Sequence, residues 1–269
     1  MDLLNPARLD KKSVKKFFNR AANSYDQAAI LQNEVQNRLL ERLDYIRHTP
    51  NTVIDIGCGT GKGLDRLQRR YRKARVYGSD LAFDMLLRSR ARQGWFSRRP
   101  LVAADMEHLP FANGAFDMVY SSLALQWSNQ LPDTLRELIR ISRAGALLLF
   151  ATLGPLTLRE LAESWHSLDS HPHVHRFFDM HDIGDMMLAT GFNQPVVDAE
   201  VIRMEYPDFR SLLDDLKNIG ATNADVGRHR GLMTPRQLRA LEQRYREVGF
   251  ENGKYVATYE VVYGHAWAK

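Results

Sequence analysis

The stretch VIDIGCGTGKG at residues 53–63 constrains the fold more than any other part of the chain. A short apolar run is followed by Gly57, Gly59 and Gly61, a pattern typical of a buried strand that ends in a tight ligand-binding turn. A dinucleotide fingerprint needs a further glycine where Lys62 or Leu64 stands. A P-loop needs glycine at position 56 and a hydroxyl residue at position 63, and neither is present. The turn therefore predicts a ligand that lies against bare backbone without requiring a phosphate.

Strands and helices alternate along the first part of the chain. Apolar runs predict strands at about 52–56, 75–79, 101–103, 116–125 and 145–153, with helices at about 62–72, 82–92 and 132–142 between them. Such alternation implies an α/β fold with a mainly parallel sheet covered on both faces and ligands at the carboxyl ends of its strands. Two more strands are predicted at about 196–204 and 254–267.

We predict a single domain over residues 1–269, in which the segments outside the sheet close over the strand ends. It would comprise an N-terminal helix at about 8–46, a nucleotide-binding core at about 50–153, and lid insertions at about 155–180 and 208–249 around the last strands. Segments that are not needed to complete a sheet usually carry specificity. We therefore expect these insertions to shape the substrate site.

Acidic residues follow two of the predicted strands. Asp80 closes the second strand at the position of a ribose-binding carboxylate, and Asp105 follows the third strand, where it can accept a hydrogen bond from an adenine amino group. Either residue alone is equally well explained as a helix N-cap. Together with the glycine turn, they predict a slot for an adenosine without a pyrophosphate.

Composition limits the other possibilities. The net charge is +5 and the basic residues are grouped, which fits either an acidic partner or a set of solvated helix faces. Zinc-finger and RNP-type motifs are absent from the sequence, so nucleic acid is not supported. The single cysteine, Cys58, excludes an internal disulfide and a cysteine-built zinc site. Without a membrane-length apolar run or a signal-peptide centre, we expect a cytoplasmic protein.

Several motifs in order resemble a known family. The first four motifs are VIDIGCGTG, the acidic Asp80, DMEHLPF and FDMVYSSLALQW. They resemble the class I S-adenosylmethionine-dependent methyltransferases, which have a Rossmann-like fold. Five further segments are FNRAANSYDQAAILQ, TLGPLTLREL, HVHRFFDMHDIGD, DLKNIGATN and ATYEVVYGHAW. These segments are similar to the malonyl-acyl carrier protein O-methyltransferases of biotin synthesis. This second resemblance spans nearly the whole chain. One departure is His175, where the family pattern has Asn before the Arg-Phe pair.

The resemblance implies S-adenosylmethionine as cofactor and the free carboxylate of malonyl-acyl carrier protein as methyl acceptor, giving the methyl ester that primes pimeloyl and biotin synthesis. It implies a set of cofactor-binding residues: Tyr25, Asp55, Gly57, Gly59, Gly61, Asp80, Leu81, Asp105, Met106 and Ser121. The catalytic residues would be Tyr25, Arg176 and Phe177, and Trp127 would join the last two in binding the substrate. A guanidinium fork matches a carboxylate bidentately, which favours Arg176 as the partner of the malonyl group.

Three further interpretations follow from the sequence. His171, His173 and His175 alternate in a Pro-containing loop without a matching acidic pattern, so we expect no metal site. We expect a monomer that acts without nucleic acid or membrane. An acidic carrier protein is predicted to dock on the lysines at 11, 12, 15 and 16, or else on the arginines at 228, 230 and 236.

Two rival functions remain open at this stage. The first is another small-molecule methyltransferase of the same fold that acts on a quinone-type ring, for which Arg176 would serve no purpose. The second is a protein like the mitochondrial complex I assembly factors, which would keep the nucleotide slot for binding alone.

Overall fold

The computed structural model describes residues 8–94, 98–229, 231 and 233–269. The helices are α1 (Lys11–Ala21), α2 (Tyr25–Ala28), α3 (Ile30–Glu41), α4 (Lys62–Arg70), α5 (Phe83–Arg92), α6 (Leu131–Ile141), α7 (Arg159–His166), α8 (Met180–Thr190), α9 (Phe209–Asn218) and α10 (Pro235–Gly249). The strands are β1 (Thr52–Ile56), β2 (Arg75–Asp80), β3 (Leu101–Ala103), β4 (Phe116–Ser122), β5 (Ser142–Leu153), β6 (Phe192–Tyr206), β7 (Phe250–Glu251) and β8 (Lys254–Ala268). None of these helices combines the length and the apolar character that a membrane span requires.

The strands form one sheet in the order β3-β2-β1-β4-β5-β8-β6, and β7 pairs with β8. β1 to β5 pair in parallel, whereas β8 runs antiparallel to both β5 and β6. The predicted α/β fold with a mainly parallel sheet is confirmed. Because the carboxyl ends of β1, β2, β3 and β4 meet at one edge, the residues that follow these strands are brought together there.

Both faces of the central strands are covered. Along β4 and β5, Tyr120 and Leu149 pack into one apolar cluster, and Val119 and Phe150 pack into the cluster on the other face. All four side chains are fully buried. Alternating burial on two faces explains why these strands read as continuous apolar runs in the sequence.

Several boundaries differ from those predicted. β4 ends at Ser122 rather than near 125, because Leu123 has a φ of 52° and the chain then turns into a short 3-10 helix, Leu125–Trp127. This turn carries Trp127 back to the edge where the parallel strands end. β6 is longer than its predicted 196–204, because it pairs with β8 over nearly its whole length. α8 was not predicted as a separate helix.

The predicted N-terminal helix at 8–46 is interrupted twice. The helix ends at Ala21 and a turn over residues 22–24 separates α1 from α2, and the backbone leaves the helical conformation at Ala29, whose ψ is 51°. These breaks separate α1 from α3 and let α1 cover the sheet edge. Ala21 and Ala22 at its end pack on Ala82 and Met85 of α5.

The two predicted insertions contain α7 in the first and α9 and α10 in the second. Glu160 of α7 is buried and accepts a hydrogen bond from the backbone N–H of Thr258, 3.1 Å away in β8. Tyr245 of α10 donates to the carbonyl oxygen of Val256 at 2.7 Å. These bonds fix both insertions to the last strand. Their role as a lid remains a prediction.

Candidate active site

The glycine turn joins the ends of β1 and β2. The N–H groups of Gly57 and Cys58 donate to the carbonyl oxygen of Ser79 at 2.8 and 3.0 Å. Gly57 has a φ of 75°, and a Cβ there would lie 2.2 Å from the Cβ of Ala124. Gly59 also has a positive φ of 52°, but a Cβ there would meet nothing within 4 Å. Gly57 is therefore required by packing, whereas Gly59 borders open space.

Asp80 organises this turn. One carboxylate oxygen accepts from the N–H of Gly59 at 2.8 Å, and the other accepts from the N–H of Ala82 at 2.8 Å. Each carboxylate oxygen has two acceptor positions, so both oxygens retain capacity for a ligand hydroxyl. Burial raises the pKa of Asp80 to about 6, although the two N–H donors oppose this shift.

A slot of about 650 Å³ opens beside Asp80 at the edge of the sheet. Its lining combines backbone of the glycine turn, apolar side chains, two acidic residues, one lysine and two serines. The lining residues are Lys11, Val14, Phe18, Tyr25, Ile56, Gly57, Gly59, Ser79, Asp80, Leu81, Met85, Ala104, Asp105, Met106, Ser122, Leu123, Ala124 and Trp127. This lining fits an adenosine. The unused acceptor positions of Asp80 suit ribose hydroxyls, the apolar side chains of Leu81 and Met106 suit the adenine ring, and the open face of Gly59 leaves room for the ligand.

Three predicted cofactor residues do not line this slot, and two of them contact other parts of the protein. The hydroxyl of Ser121 is buried and donates to the carbonyl oxygen of Ile56 at 2.9 Å, so Ser122 borders the slot instead. Neighbouring residues of a strand point to opposite faces, which is why the shift is by one position. Gly61 packs against α5, where an added Cβ would lie 2.3 Å from the hydroxyl oxygen of Ser89. Neither residue borders the slot, and their role in cofactor binding stays a prediction.

Asp105 lies in the slot, but it has a partner from α1. The ammonium group of Lys11 lies 2.9 Å from a carboxylate oxygen of Asp105 and 3.0 Å from one of Glu107. Lys11 is one of the four lysines predicted for docking of the carrier protein, and in the structure it is ion-paired. Its ion pairs instead connect α1 to the loop after β3, across the slot.

Asp55 lies in a second cavity of about 430 Å³, which adjoins the slot at Tyr25, Gly57 and Gly59. The side chain of Asp55 is buried. Burial raises the pKa of Asp55 to about 8, and the nearby charge of Asp80 contributes to the shift. A cationic group in this cavity would favour the ionised carboxylate.

The slot meets a third and larger cavity of about 1360 Å³, measured with its open mouth. Phe18, Tyr25, Leu123 and Trp127 line both spaces. Trp127 contacts the ring of Phe18 edge-on, with ring centroids 5.2 Å apart. Tyr25 also borders the cavity of Asp55. Tyr25 and Trp127 therefore lie at the junction where a cofactor and a substrate would meet.

Of the predicted substrate residues, Phe177 and Trp127 line the large cavity, whereas Arg176 does not. Arg176 is exposed and borders a neighbouring cavity of about 300 Å³. Gln126, Leu153 and Phe177 form part of the wall of both cavities. The guanidinium group of Arg176 thus lies beyond this wall in the structure.

The histidines of the same segment have separate local partners. His175 accepts a hydrogen bond from the N–H of Ala224 at 3.0 Å, and burial lowers its pKa to about 4. It is a neutral acceptor, a role that the amide oxygen of Asn would also fill. His173 stacks on Trp165 and bonds to Asp169 at 2.8 Å. The described residues contain no cluster of His, Cys, Asp or Glu that could hold a metal ion.

The sequence analysis missed Phe18, Leu123 and Ser122 as slot residues. The signal for Phe18 is the spacing of Lys11, Val14 and Phe18, which places them on one face of a helix. Leu123 gives no such signal, because it reaches the slot through a positive φ that a leucine rarely adopts.

The two glycines generate a paired prediction. Gly57→Ala introduces both a left-handed alanine and a contact with Ala124, and we expect the free energy of unfolding to fall by about 2–4 kcal/mol. Gly59→Ala should destabilise by about 1 kcal/mol, because its Cβ meets open space. It should nevertheless weaken binding of S-adenosylhomocysteine, since that Cβ occupies the slot. Urea unfolding and calorimetric titration measure the two effects, and unchanged affinity in Gly59→Ala would place the ligand elsewhere.

Comparison with known proteins agrees with this geometry. Residues 54–150 match a family model described as a methyltransferase domain. A malonyl-[acyl-carrier protein] O-methyltransferase of Halorhodospira halophila is 47% identical over 96% of this chain and 88% of its own length. One from Laribacter hongkongensis is 48% identical over 96% of this chain and 89% of its own length.

A solved structure shares the fold at much lower identity. A Bacillus halodurans protein that is provisionally assigned as a methyltransferase superposes with a TM-score of 0.62 at 17% identity. The match covers 87% of this chain and 98% of that one. Identity above 45% over nearly the full chain decides the family. The chain belongs to the malonyl-[acyl-carrier protein] O-methyltransferase family of class I methyltransferases.

Proposed function

We propose that this protein transfers a methyl group from S-adenosylmethionine to the free carboxylate of malonyl-acyl carrier protein. The observation that carries the proposal is the junction at Tyr25 and Trp127, where the adenosine-shaped slot meets the large cavity. The names of the relatives support the same substrate. The product is the malonyl methyl ester, in which the acid is masked, as a step toward biotin.

In this proposal the residues of the slot position the cofactor. Asp80 accepts hydrogen bonds from the ribose hydroxyls through its unused acceptor positions, and Asp105 receives the adenine amino group at the end that Lys11 closes. Asp55, in the adjoining cavity, faces the ammonium group of the methionine part. When bound, S-adenosylmethionine supplies an electrophilic methyl group on a sulfonium.

The substrate needs no general base. A carboxylic acid with an ordinary pKa of about 4 is already ionised at neutral pH. The residues around the junction therefore act by orientation and by excluding water that would solvate the anion. Phe18, Leu123 and Trp127 supply apolar side chains to the wall. The phenol of Tyr25 stays neutral, because burial raises its pKa.

Arg176 remains the proposed partner of the malonyl carboxylate. It has no ion-pair or hydrogen-bond partner within the described residues, and it directly precedes Phe177 in the cavity wall. To reach the carboxylate, its guanidinium group must move past Phe177. We propose that substrate binding draws it inward, because an exposed cation gains from pairing with an anion that has lost its water.

The carrier protein would dock on the outer face of α1. Lys12, Lys15 and Lys16 are exposed and have no ion-pair partner within the described part of the chain. Lys12 and Lys16 are one turn apart and point away from Phe18, whereas Lys15 is one turn from Lys11 and lies closer to the covered side of the helix. Of the alternative arginines, Arg228 bonds to Asp225 and Ser13, Arg236 is exposed, and Arg230 lies outside the described residues.

We further propose that the protein acts as a monomer in the cytoplasm, without nucleic acid or membrane.

The proposal is tested by incubating the purified protein with labelled S-adenosylmethionine and malonyl-acyl carrier protein. Mass analysis of the acyl group should show one added methyl group on the carboxylate. Cofactor binding without any methylated malonyl thioester would favour a protein that keeps the slot for binding alone. Transfer to a quinone-type ring but not to malonyl would favour the other rival function.

Asp55 predicts a pH dependence of cofactor binding. Between about pH 7 and 9 the buried carboxyl loses its proton, and the ionised form pairs better with the ammonium group of S-adenosylhomocysteine. Affinity should therefore rise with pH in this window, and Asp55→Asn should flatten the rise. Calorimetric titration at several pH values measures both. A pH-independent affinity in the wild type would remove Asp55 from the ammonium site.

The same raised pKa predicts the opposite trend for the stability of the unliganded protein. The folded state keeps the Asp55 proton that the unfolded state loses near pH 4, so the free energy of unfolding should fall as pH rises from about 4 to 8. Asp55→Asn should reduce this fall and be more stable than wild type at pH 8. Urea unfolding across the pH range gives the comparison, and a parallel pH profile in the variant would contradict it.

Arg176→Met should lower turnover on malonyl thioesters by at least tenfold, because a desolvated carboxylate loses its partner. Its affinity for S-adenosylhomocysteine should stay within about twofold of wild type, since Arg176 lies outside the slot. Steady-state kinetics and calorimetry give the two values. Wild-type turnover in this variant would show that another group recognises the carboxylate.

Charge reversal at Lys12 and Lys16 should raise the Michaelis constant for malonyl-acyl carrier protein severalfold while leaving turnover at saturation unchanged. The effect should shrink with rising salt and be absent with malonyl-phosphopantetheine, which has no protein surface. The matched control reverses Arg72 and Lys73, two exposed residues between α4 and β2 at the opposite edge of the sheet. An equal effect of both double variants would mean a response to net charge rather than docking.

A further inference from the structure

The large cavity is bigger and more apolar than a three-carbon acid requires. Its volume is about 1360 Å³ with its open mouth, and much of its wall consists of leucine and aromatic side chains from α3, α7 and α9. Its described lining includes no Asp or Glu. The space therefore suits a long, largely uncharged chain whose anionic groups are confined to its ends.

Lys217, in the last turn of α9, lines this cavity and is exposed to solvent. Its side chain has no ion-pair partner within the described residues. The other basic groups of the described lining are His173, which bonds to Asp169, and His175, which is neutral. Lys217 is thus the permanent cation of this described wall, and it stands where the cavity opens.

The position of Lys217 relates it to the proposed docking face. The hydroxyl of Ser24, in the turn after α1, donates to the carbonyl oxygen of Asn218 at 3.0 Å. The end of α9 therefore contacts the turn that follows α1, the helix that carries Lys12 and Lys16 on its exposed face. A carrier protein seated on α1 would present its prosthetic arm beside Lys217.

Deeper in the cavity, Gln32 supplies an unpaired acceptor. Its side-chain oxygen is buried and has no hydrogen-bond partner among the residues that the structure describes. Gln32 borders both the large cavity and the cavity of Asp55. A buried acceptor without a donor is unfavourable, so a ligand amide N–H would find a prepared partner there.

We propose that the large cavity binds the extended phosphopantetheine arm of the substrate, with Lys217 holding its phosphodiester at the mouth. Gln32 accepts a hydrogen bond from an amide N–H of the arm, and the thioester end reaches the junction at Tyr25 and Trp127. A lysine ammonium binds phosphate as a point charge, without demanding the fork geometry of arginine. This inference rests on the proposed function, since it names the part of the carrier substrate that the cavity recognises.

The test compares malonyl-phosphopantetheine with malonyl-pantetheine, which lacks the phosphate. Affinity is measured by calorimetry in the presence of S-adenosylhomocysteine, and kcat/KM is measured with S-adenosylmethionine. Wild type should prefer the phosphorylated compound by about tenfold, and Lys217→Met should abolish this preference by weakening that compound alone. Lys217→Arg should retain most of the preference, and Lys73→Met, a change at a distant exposed lysine, should leave it intact. Gln32→Leu should weaken both compounds alike, because both carry the amides.

The outcomes separate this inference from the proposed function. If Lys217→Met weakens both compounds equally or neither, the phosphate assignment is overturned even when wild type methylates both. If wild type methylates neither compound but binds the phosphorylated one through Lys217, the proposed function fails and the binding subsite stands. If Gln32→Leu leaves both affinities unchanged, the arm does not follow the path past Gln32.

Discussion

The hydrogen bonds of Asp80 to the N–H groups of Gly59 and Ala82 are the interaction on which the site depends. They hold the glycine turn against the end of β2, and so set the width of the slot between two parallel strands. A carboxylate satisfied by two N–H donors keeps its orientation without a ligand, which prepares its remaining acceptor positions for ribose hydroxyls. The backbone of Gly59 then has a clear face toward the ligand because no side chain fills it.

Around this fixed edge, the rest of the site is built from segments outside the sheet. α1 covers the slot and is joined to the loop after β3 by Lys11, whose ion pairs with Asp105 and Glu107 are partly shielded from solvent. The two insertions enclose the larger cavity and are fixed to β8 through Glu160 and Tyr245. In the proposed function, cofactor and substrate approach one junction from these two separate spaces, and such an arrangement suits a transfer between two bound molecules from which water is excluded.

The sequence predicted the parts of the site that depend on strand ends. The glycine turn, Asp80 and Asp105 follow apolar runs, and in parallel strands such positions converge whatever the distant packing. It did not predict α1 as a separate helix over the slot, because the break after α1 contains no Pro or Gly. Ser121 and Ser122 are adjacent in the sequence, and only the register of β4 decides which of the two faces the slot.

Charged residues were the least predictable. Lys11 and Lys12 are neighbours in one basic run, yet one is paired across the slot and the other is exposed, because successive helical positions point in different directions. Arg176 and Lys217 show the same limit. The sequence offered Arg176 as the cation of the substrate cavity, whereas the described wall of that cavity contains Lys217. Which cation borders a cavity depends on long-range packing of α9 and the first insertion, which local patterns do not encode.

The most direct test of the account is a crystal structure of the protein with S-adenosylhomocysteine. The account predicts both ribose hydroxyls within about 3 Å of the Asp80 carboxylate oxygens, with the bonds from Gly59 and Ala82 retained. The adenine should lie between Leu81 and Met106, and the sulfur should face the junction at Tyr25 and Trp127. A ligand bound elsewhere, or an Asp80 carboxylate turned away from the ribose, would contradict it.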